Sequence, residues 1–247
     1  MKADPTAQLQ LLDLQDLDSS LDRLAHQRAT LPEIAELAAL AARRKELDDE
    51  VTLAETELSD LGRAQAKLEA DIEVVEQRQA RDQKRLDDGL ITNAKELEVL
   101  QHELESLARR KATLEDEELE LMQSAEDAQK RVDVAAAELA EIATKTENAQ
   151  WRLSETERGI DTEMASARAA RSELAPSLPA ELVALYEKQR AANGGVGAAA
   201  LIRRRCEGCH LELAGAELND VRAAAPDDVL RCESCGRVLV RTAESGL

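Results

Sequence analysis

The chain has 247 residues, of which 34% are charged, 43% hydrophobic and only 1% aromatic, and its formal net charge is −19. A chain without phenylalanine cannot build the usual aromatic-rich globular core, and this composition is typical of long helices and coiled coils. No apolar run approaches the roughly 18 residues of a membrane span, and the N-terminus lacks the features of a signal peptide. We therefore expect a cytoplasmic protein that does not enter membranes.

The first part of the chain carries a heptad repeat. Alternating steps of three and four residues from Leu37 to Leu86 meet apolar residues at eleven of fifteen positions. The same spacing occurs upstream at Leu14, Leu17, Leu21 and Leu24. Such a pattern predicts a coiled coil. Pro32 has no amide N–H to donate and disfavours helix at Leu31, so we expect a kink near residue 32.

A turn is predicted over residues 87–93. Gly89 suits the left-handed end of one helix, and Asn93 suits the N-cap of the next, with Glu96 as its capping-box partner. One helix therefore ends and another begins within a few residues, as in an αα-hairpin. This tip is a candidate surface for a protein partner, formed by Leu90, Asn93, Lys95, Glu96 and Leu100.

The second helix keeps its own heptad register from Leu97 to Ile160. Segments 6–88 and 93–175 are each 83 residues long, so residues that face each other should have numbers adding to about 181. This register places Trp151 near Pro32, where we expect it to fill space beside the kink. The equal arms and the glycine-containing turn favour a hairpin within one chain over a coiled coil between chains.

The stretch "APSLP" at 175–179 ends the second helix. It divides the chain into two expected domains, a coiled-coil hairpin over 1–175 and a smaller domain over 176–247. The smaller domain begins with a short helix over 179–192 and continues with segments of extended character. Leu11 and Leu12 lie outside the heptad seam, and could contact either this short helix or a second copy of the chain.

All four cysteines lie in the smaller domain, in the pattern C-x2-C-x22-C-x2-C formed by Cys206, Cys209, Cys232 and Cys235. Thiols stay reduced in the cytoplasm, and each pair can offer two thiolates to one tetrahedral metal. The pattern predicts a zinc ribbon with one structural Zn²⁺ per chain, although four sulfurs also suit iron. Four thiolates leave no open position for a catalytic water, and zinc binding would supply much of the folding energy of so small a domain.

These elements together predict a mainly α protein. Its fold would be a long antiparallel coiled-coil helical hairpin with a small C-terminal β zinc-ribbon domain.

Six arginines flank the cysteine pairs and form a second candidate surface: Arg203, Arg204, Arg205, Arg231, Arg237 and Arg241. Guanidinium groups bind phosphates and carboxylates well, so a nucleic acid or an acidic protein could be the partner. The alternative is that these arginines only solubilise the domain and neutralise the zinc tetrathiolate. From Pro176 onward there are 10 acidic and 9 basic residues, giving −1; the remainder has 41 and 23, giving −18, and should repel nucleic acid.

No catalytic set is recognisable in the sequence. The chain has no Walker-type phosphate loop and no G-x-G-x-x-G motif, and His26 and His102 lie on charged helical faces without a nucleophile pattern. We therefore expect no enzymatic activity and no small-molecule substrate. His210, beside Cys209, is either a spare metal ligand or a surface residue.

The tip sequence "DGLITNAKELEVLQHELESL" and the terminal "CEGCHLEL" and "RCESCGRVLV" resemble the bacterial C4-type zinc-ribbon coiled-coil family. The resemblance covers nearly the whole chain. It implies an adaptor, because flagellar-associated and chlamydial relatives are linked to an alternative sigma factor, to flagellar or type III export components and to flagellin transcripts.

Two functions follow as expectations. The first is a non-enzymatic adaptor or chaperone-like protein that binds protein partners through the coiled coil and the ribbon. The second is a nucleic-acid-binding factor that acts in transcription or RNA handling through the arginine-bearing ribbon. Because aromatic side chains for base stacking are missing, sequence-specific recognition of single strands is not expected. A purely structural spacer is a third possibility.

Overall fold

The computed structural model describes residues 1–89, 91 and 93–247. In this part of the chain the helices are α1 (Pro5–Ala29), α2 (Pro32–Asp87), α3 (Ala94–Ser177), α4 (Ala180–Ala192) and α5 (Gly215–Ala223). The strands are β1 (Ala198–Ile202), β2 (Arg205–Cys206), β3 (Leu230–Arg231) and β4 (Val238–Arg241).

The chain forms two compact units, each described by itself. One unit combines Met1–Ile34 with Gln150–Leu247, and the other is Ala35–Ala149. The domain boundary expected after residue 175 stays a prediction.

Within the second unit, α2 and α3 run antiparallel and are joined by ion pairs. Arg43 contacts Glu138 at 2.9 Å, and Arg78 contacts Glu103. The residue numbers of both pairs add to 181, the register expected from two equal arms. The buried seam between the helices contains Leu47, Ala135 and Ile142, with Leu40, Val51 and Leu139 beside them. The predicted coiled-coil hairpin within one chain is confirmed.

The tip has the two helix ends that its sequence indicates. Gly89 has a φ of +61°, and its N–H donates to Leu86 O at 3.3 Å. At the start of α3, the N–H of Lys95 donates to Asn93 Oδ1 at 3.0 Å, so Asn93 caps this helix.

Of the five tip residues proposed as a partner surface, Lys95 and Glu96 are exposed and Leu100 is buried. Leu90 lies outside the described residues. Partner binding at the tip stays a prediction.

The helix is interrupted between Ala29 and Pro32, as expected, but Trp151 does not pack against this interruption. α1 ends at Ala29, and the Thr30 hydroxyl donates to His26 O at 2.9 Å. Aliphatic side chains fill the adjoining core, namely Leu24, Leu31, Ile160 and Met164. The expectation for Trp151 is wrong, because this side chain is 66% exposed. It lies two residues after the seam residue Ala149, and two residues turn a helix by more than half a circle.

The core of the first unit joins α1 and α4 to the β-sheet. Leu11, Leu14, Leu182 and Tyr186 are fully buried, and they pack with Ala3, Ala7, Leu178, Ala198, Val238 and Val240. Leu11 therefore belongs to the same core as the short helix of its own chain, in line with one of its two expected roles.

The sheet has the strand order β2-β1-β4-β3. β1 pairs parallel with β4, and the two short outer strands β2 and β3 pair antiparallel with their neighbours. The N-terminus is attached beside this sheet: Ala3 N–H donates to Asp227 O at 2.8 Å, and Val229 N–H donates to Met1 O at 3.1 Å.

Gln15 connects α1 to the segment that leads into β1. Its Oε1 accepts from the N–H groups of Gly197 and Ala198 at 2.6 and 3.3 Å, and its Nε2 donates to Gly195 O at 3.0 Å. Gln15 itself is only 6% exposed. The amide thus satisfies three backbone groups in the connection between α4 and β1 and at the start of β1.

Replacing this amide should destabilise the fold. We expect Gln15→Leu to lower the free energy of unfolding by about 2 kcal/mol, because it leaves buried backbone groups without hydrogen bonds. Urea unfolding followed by circular dichroism measures the change. Gln27→Leu, an exposed position on the same helix, is the matched control and should change stability by less than about 0.5 kcal/mol. Equal effects of the two substitutions would contradict the role of Gln15.

Candidate metal centre

The two cysteine pairs meet at one point. The Sγ atoms of Cys206 and Cys235 are 4.0 Å apart, and those of Cys209 and Cys232 are 3.8 Å apart. All four sulfurs lie within 4.8 Å of one another. Cys206 lies at the end of β2 and Cys232 directly follows β3, so the outer strands of the sheet carry the two pairs.

Each pair forms the same tight turn. His210 N–H donates to Cys206 O at 2.7 Å, and Gly236 N–H donates to Cys232 O at 2.7 Å. Both donors have positive φ, +58° at His210 and +74° at Gly236. His210 is exposed and occupies the position that Gly236 occupies in the second turn. It is therefore a surface residue of this turn.

The donor set fits one zinc ion. A tetrahedral site with Zn–S bonds of about 2.3 Å places sulfurs about 3.8 Å apart, close to the separations observed here. Cys206 and Cys232 are buried, and Cys209 and Cys235 are partly buried. The four thiolates would complete the coordination of Zn²⁺, which therefore supplies a structural cross-link and no open position for substrate.

The surroundings change the pKa of the thiols of Cys206, Cys232 and Cys235. Burial raises the pKa of Cys206 to about 12, and it also raises the pKa of Cys232. Burial opposes ionisation of Cys235 as well, but hydrogen bonds from the backbone and guanidinium of Arg237 and from the thiols of Cys232 and Cys209 outweigh it, lowering the pKa to about 7. Binding of zinc requires all four thiolates and so releases protons.

Two of the six candidate arginines have structural partners. Arg237 donates to Val196 O and Asn193 O, both at 3.0 Å, and also hydrogen-bonds Cys235. Its side chain passes over Gly208, where an added Cβ would lie 2.6 Å from Arg237 Cδ. The neutralising role considered for the arginines thus has a concrete basis at Arg237.

Arg241, the last residue of β4, also binds backbone carbonyls. Its guanidinium donates to Ala224 O and Pro226 O, both at 3.0 Å, and to Ala225 O at 2.5 Å. It thereby holds the loop that follows α5, and like Arg237 it is only partly exposed.

The other four arginines are exposed but do not form one cluster. Arg205 pairs with Glu207 at 2.8 Å, and Arg231 Nε donates to Gly236 O at 3.0 Å. Arg231 in β3 pairs with Val238 in β4, and Val238 pairs with Ala198 in β1. Ala198 is four residues before Ile202, where β1 ends. Arg231 is therefore about 13 Å further along the strand direction than the β1–β2 turn.

Arg203 and Arg204 form that turn between β1 and β2, and we call these two residues the arginine turn. Their φ angles are +47° and +62°. Their N–H groups donate to Glu244 O at 2.8 Å and Ser245 O at 2.9 Å, so the C-terminal segment supports the turn.

One residue beside the metal centre is not recognisable from the sequence. Glu217 in α5 is 6% exposed, and its Oε1 accepts from Glu233 N–H at 2.9 Å, inside the second cysteine turn. It therefore fixes α5 against the metal centre. In the sequence it is an ordinary acid in the first turn of a short helix, so no pattern distinguishes it.

Among the described residues, no helix combines the length and the apolar character required to cross a membrane.

Comparison with known proteins agrees with this architecture. A family model described as the CT398-like coiled coil hairpin domain matches residues 14–194, and a C4-type zinc ribbon domain matches residues 205–239. An uncharacterized protein of Mycobacterium tuberculosis is 37% identical over 241 residues, with 98% of each chain covered.

Solved structures show the same fold. A structure from Mycobacterium smegmatis is 36% identical, covers 98% of this chain and all of its own, and has a TM-score of 0.84. CT398 from Chlamydia trachomatis is 22% identical, with 96% and 98% of the two chains covered and a TM-score of 0.72. The four clustered cysteines and the zinc-ribbon match together identify a site for one structural Zn²⁺. The chain belongs to the CT398-like coiled coil hairpin family.

Proposed function

We propose that this protein is a non-enzymatic adaptor whose zinc ribbon binds an acidic segment of a protein partner at the arginine turn. The observation that supports this most strongly is the backbone of Arg203 and Arg204. A two-residue hairpin turn with positive φ at both positions strongly prefers Asn-Gly or similar pairs. Left-handed backbone costs a residue with a Cβ roughly 1 kcal/mol or more, so this turn uses arginine at a cost in stability.

The side chains of the turn are available to a ligand. Both arginines are exposed. Arg204 Nε donates to Gly246 O at 3.3 Å, which leaves its other N–H groups free to bind. In the part of the chain that the structure describes, the guanidinium of Arg203 has no hydrogen-bonding partner. Two adjacent guanidiniums on a rigid turn suit carboxylates, which accept their parallel N–H donors.

Charge and composition favour a protein partner over a nucleic acid. The net charge of −19 repels a polyanion over long distances, whereas a short acidic segment brings far less charge close to the chain. The chain has no phenylalanine and a single tyrosine and tryptophan, so it lacks a surface on which bases could stack.

A nucleic-acid-binding factor is the second candidate. The same arginine turn favours it, because guanidinium groups bind phosphate in the same forked geometry as carboxylate. It would bind without sequence preference and with strong dependence on salt.

A binding assay separates the two candidates. A labelled glutamate-rich peptide and a labelled short RNA are titrated with zinc-loaded protein, and anisotropy is followed at low and physiological salt. We expect the peptide to bind and Arg203→Glu with Arg204→Glu to weaken it at least about tenfold. Lys188→Glu with Arg222→Glu, which makes the same change of charge at exposed residues elsewhere in the same unit, is the matched control. Binding of RNA but not peptide would support the second candidate, and binding of neither would refute both.

A second variant tests whether the two arginines of the turn serve binding at a cost in stability. Arg203→Asn with Arg204→Gly places the preferred residues in the same backbone and should raise the free energy of unfolding by about 1 kcal/mol. The same variant should bind the glutamate-rich peptide more weakly. Urea unfolding and anisotropy measure the two quantities. A variant that is less stable than the natural chain would show that arginine is not strained at this turn.

A further inference from the structure

A groove with apolar walls lies between α2 and α3 in the unit Ala35–Ala149. Its volume is about 470 Å³. Leu47 and Ala135 form the floor and are 1% and 3% exposed, whereas Leu53 and Val134 line it and are 70% and 60% exposed.

Leu53 and Val134 do not hold the hairpin together. The seam of α2 runs through Leu47, Val51 and Ala54, so Leu53 lies off it. The numbers of Leu53 and Val134 add to 187, as do those of the ion pair between Glu76 and Lys111. This sum exceeds the register of 181 by six, so the two residues are offset by about 9 Å along the hairpin, and the groove that both of them line spans this offset. Since folding does not bury them, another molecule is needed to remove them from water.

The seam contains small residues at the groove and near it, and one of them, Ala135, lines the groove. Ala54, Ala128 and Ala135 are 2%, 0% and 3% exposed, so methyl groups occupy positions that leucine fills elsewhere along the hairpin. A large apolar side chain from outside can approach the seam beside Ala135 more closely than it can beside a leucine such as Leu114. The shape is that of a hole between two helices, which accepts a knob from a third.

The charged rim of the groove is already neutralised within the chain. At one end, Glu138 and Glu50 are held by Arg43 at 2.9 and 3.9 Å. At the other end Arg131 pairs with Glu57, and Lys130 pairs with Asp127 at 3.0 Å. The groove can therefore be covered by apolar atoms without leaving an unpaired charge.

We infer that this groove binds one amphipathic helix of a protein partner, with its apolar side in the groove and basic residues on its flanks. The span from Lys130 to Glu138 is about 12 Å, or a little over two helical turns, which matches apolar residues at positions i, i+3 or i+4, and i+7. The unit Ala35–Ala149 contains 30 acidic and 16 basic residues, which gives −14. This charge attracts a basic helix and repels a second copy of the same unit. The site is separate from the arginine turn.

The test uses a synthetic leucine–lysine helix with leucine at these positions, and a control peptide with glutamine in place of leucine. Calorimetry should show saturable one-to-one binding of the first peptide only. Leu53→Asn with Val134→Asn should weaken it about tenfold, because two apolar contacts are lost. Val74→Asn with Leu119→Asn, which are 63% exposed at both sites in the same unit, should leave it unchanged, as should Arg203→Glu with Arg204→Glu.

Three results would overturn the inference. If Leu53→Asn with Val134→Asn and Val74→Asn with Leu119→Asn weaken binding equally, or if neither weakens it, the groove is not the site. The glutamine peptide could bind as tightly as the leucine peptide, and then charge alone accounts for the affinity. Sedimentation could show that the free protein is a dimer that Leu53→Asn with Val134→Asn dissociates, and then the groove serves a second copy. Circular dichroism should show that all variants keep their helix content, because none of the substituted residues lies in the seam.

Discussion

Removing zinc is expected to unfold the metal-centred part of the ribbon while the hairpin of the unit Ala35–Ala149 stays folded. Structural zinc sites bind with apparent free energies of about 10–16 kcal/mol in small zinc domains, and this energy is folding energy. The core around the centre is small. It comprises Ala199, Leu201, Leu213, Leu218, Val221 and Leu239 with Cys206 and Cys232. Without the metal, four separate thiols replace its central cross-link.

Hydrogen exchange before and after chelation measures this effect. Amides of β2, α5 and β3 should lose protection, and addition of zinc should restore it. Amides of α2 and α3 within Ala35–Ala149 serve as the internal control and should not change. The core that β1 and β4 share with α1 and α4 should loosen less, because its apolar side chains do not contact the metal centre. If α5 stayed protected in protein shown to be free of metal, the zinc would not hold this part of the fold.

Asp18 is expected to be the most costly single polar residue to remove. Its side chain is 2% exposed and accepts from Arg171 Nε at 2.6 Å and from the Tyr186 hydroxyl at 2.7 Å. Arg190 Nε lies 3.6 Å away. Burial and the neighbouring carboxylate raise the pKa of Tyr186, so its hydroxyl stays neutral and donates. The hydrogen bond to Asp18 raises the pKa of Arg171, which stays charged.

We expect Asp18→Ala to lower the free energy of unfolding by about 3 kcal/mol. Breaking a buried ion pair costs about 3–5 kcal/mol, and the lower end applies because both arginines are partly in water. Thermal and urea unfolding followed by circular dichroism measure the loss. Asp22→Ala is the control, since Asp22 also binds Arg190, at 2.8 Å, but is exposed, and it should cost less than about 1 kcal/mol. A loss at Asp18 no larger than at Asp22 would contradict this account.

The features that the sequence predicts well are those encoded locally or periodically. The heptads and the Gly89 and Asn93 signals predict the hairpin, and its register follows from equal arm lengths. The spacing of the cysteines predicts the metal centre because two short turns can meet around one tetrahedral ion. The break before Pro32 follows from the chemistry of proline alone.

The features that the sequence does not reveal depend on contacts between distant segments. Arg237 and Arg203 are both arginines beside a cysteine pair, yet one is bound to backbone carbonyls of the α4–β1 segment and the other faces water. Nothing in the local pattern distinguishes them. The strain at Arg203 and Arg204 is also invisible, because it arises from the two-residue connection between β1 and β2. The register places Trp151 at the level of Pro32 but does not decide which way it faces; the heptad positions on either side of it, Ala149 and Leu153, put it off the seam.

We hold that zinc folds the ribbon and that the arginine turn of the folded ribbon binds an acidic partner. The most direct measurement is the anisotropy of the labelled glutamate-rich peptide with protein that is zinc-loaded, then chelated, then resupplied with zinc. We predict binding in the first state, loss of at least about tenfold in affinity in the second because the turn loses its support, and recovery in the third. Equal binding by metal-free and zinc-loaded protein, or binding that survives Arg203→Glu with Arg204→Glu, would contradict the claim.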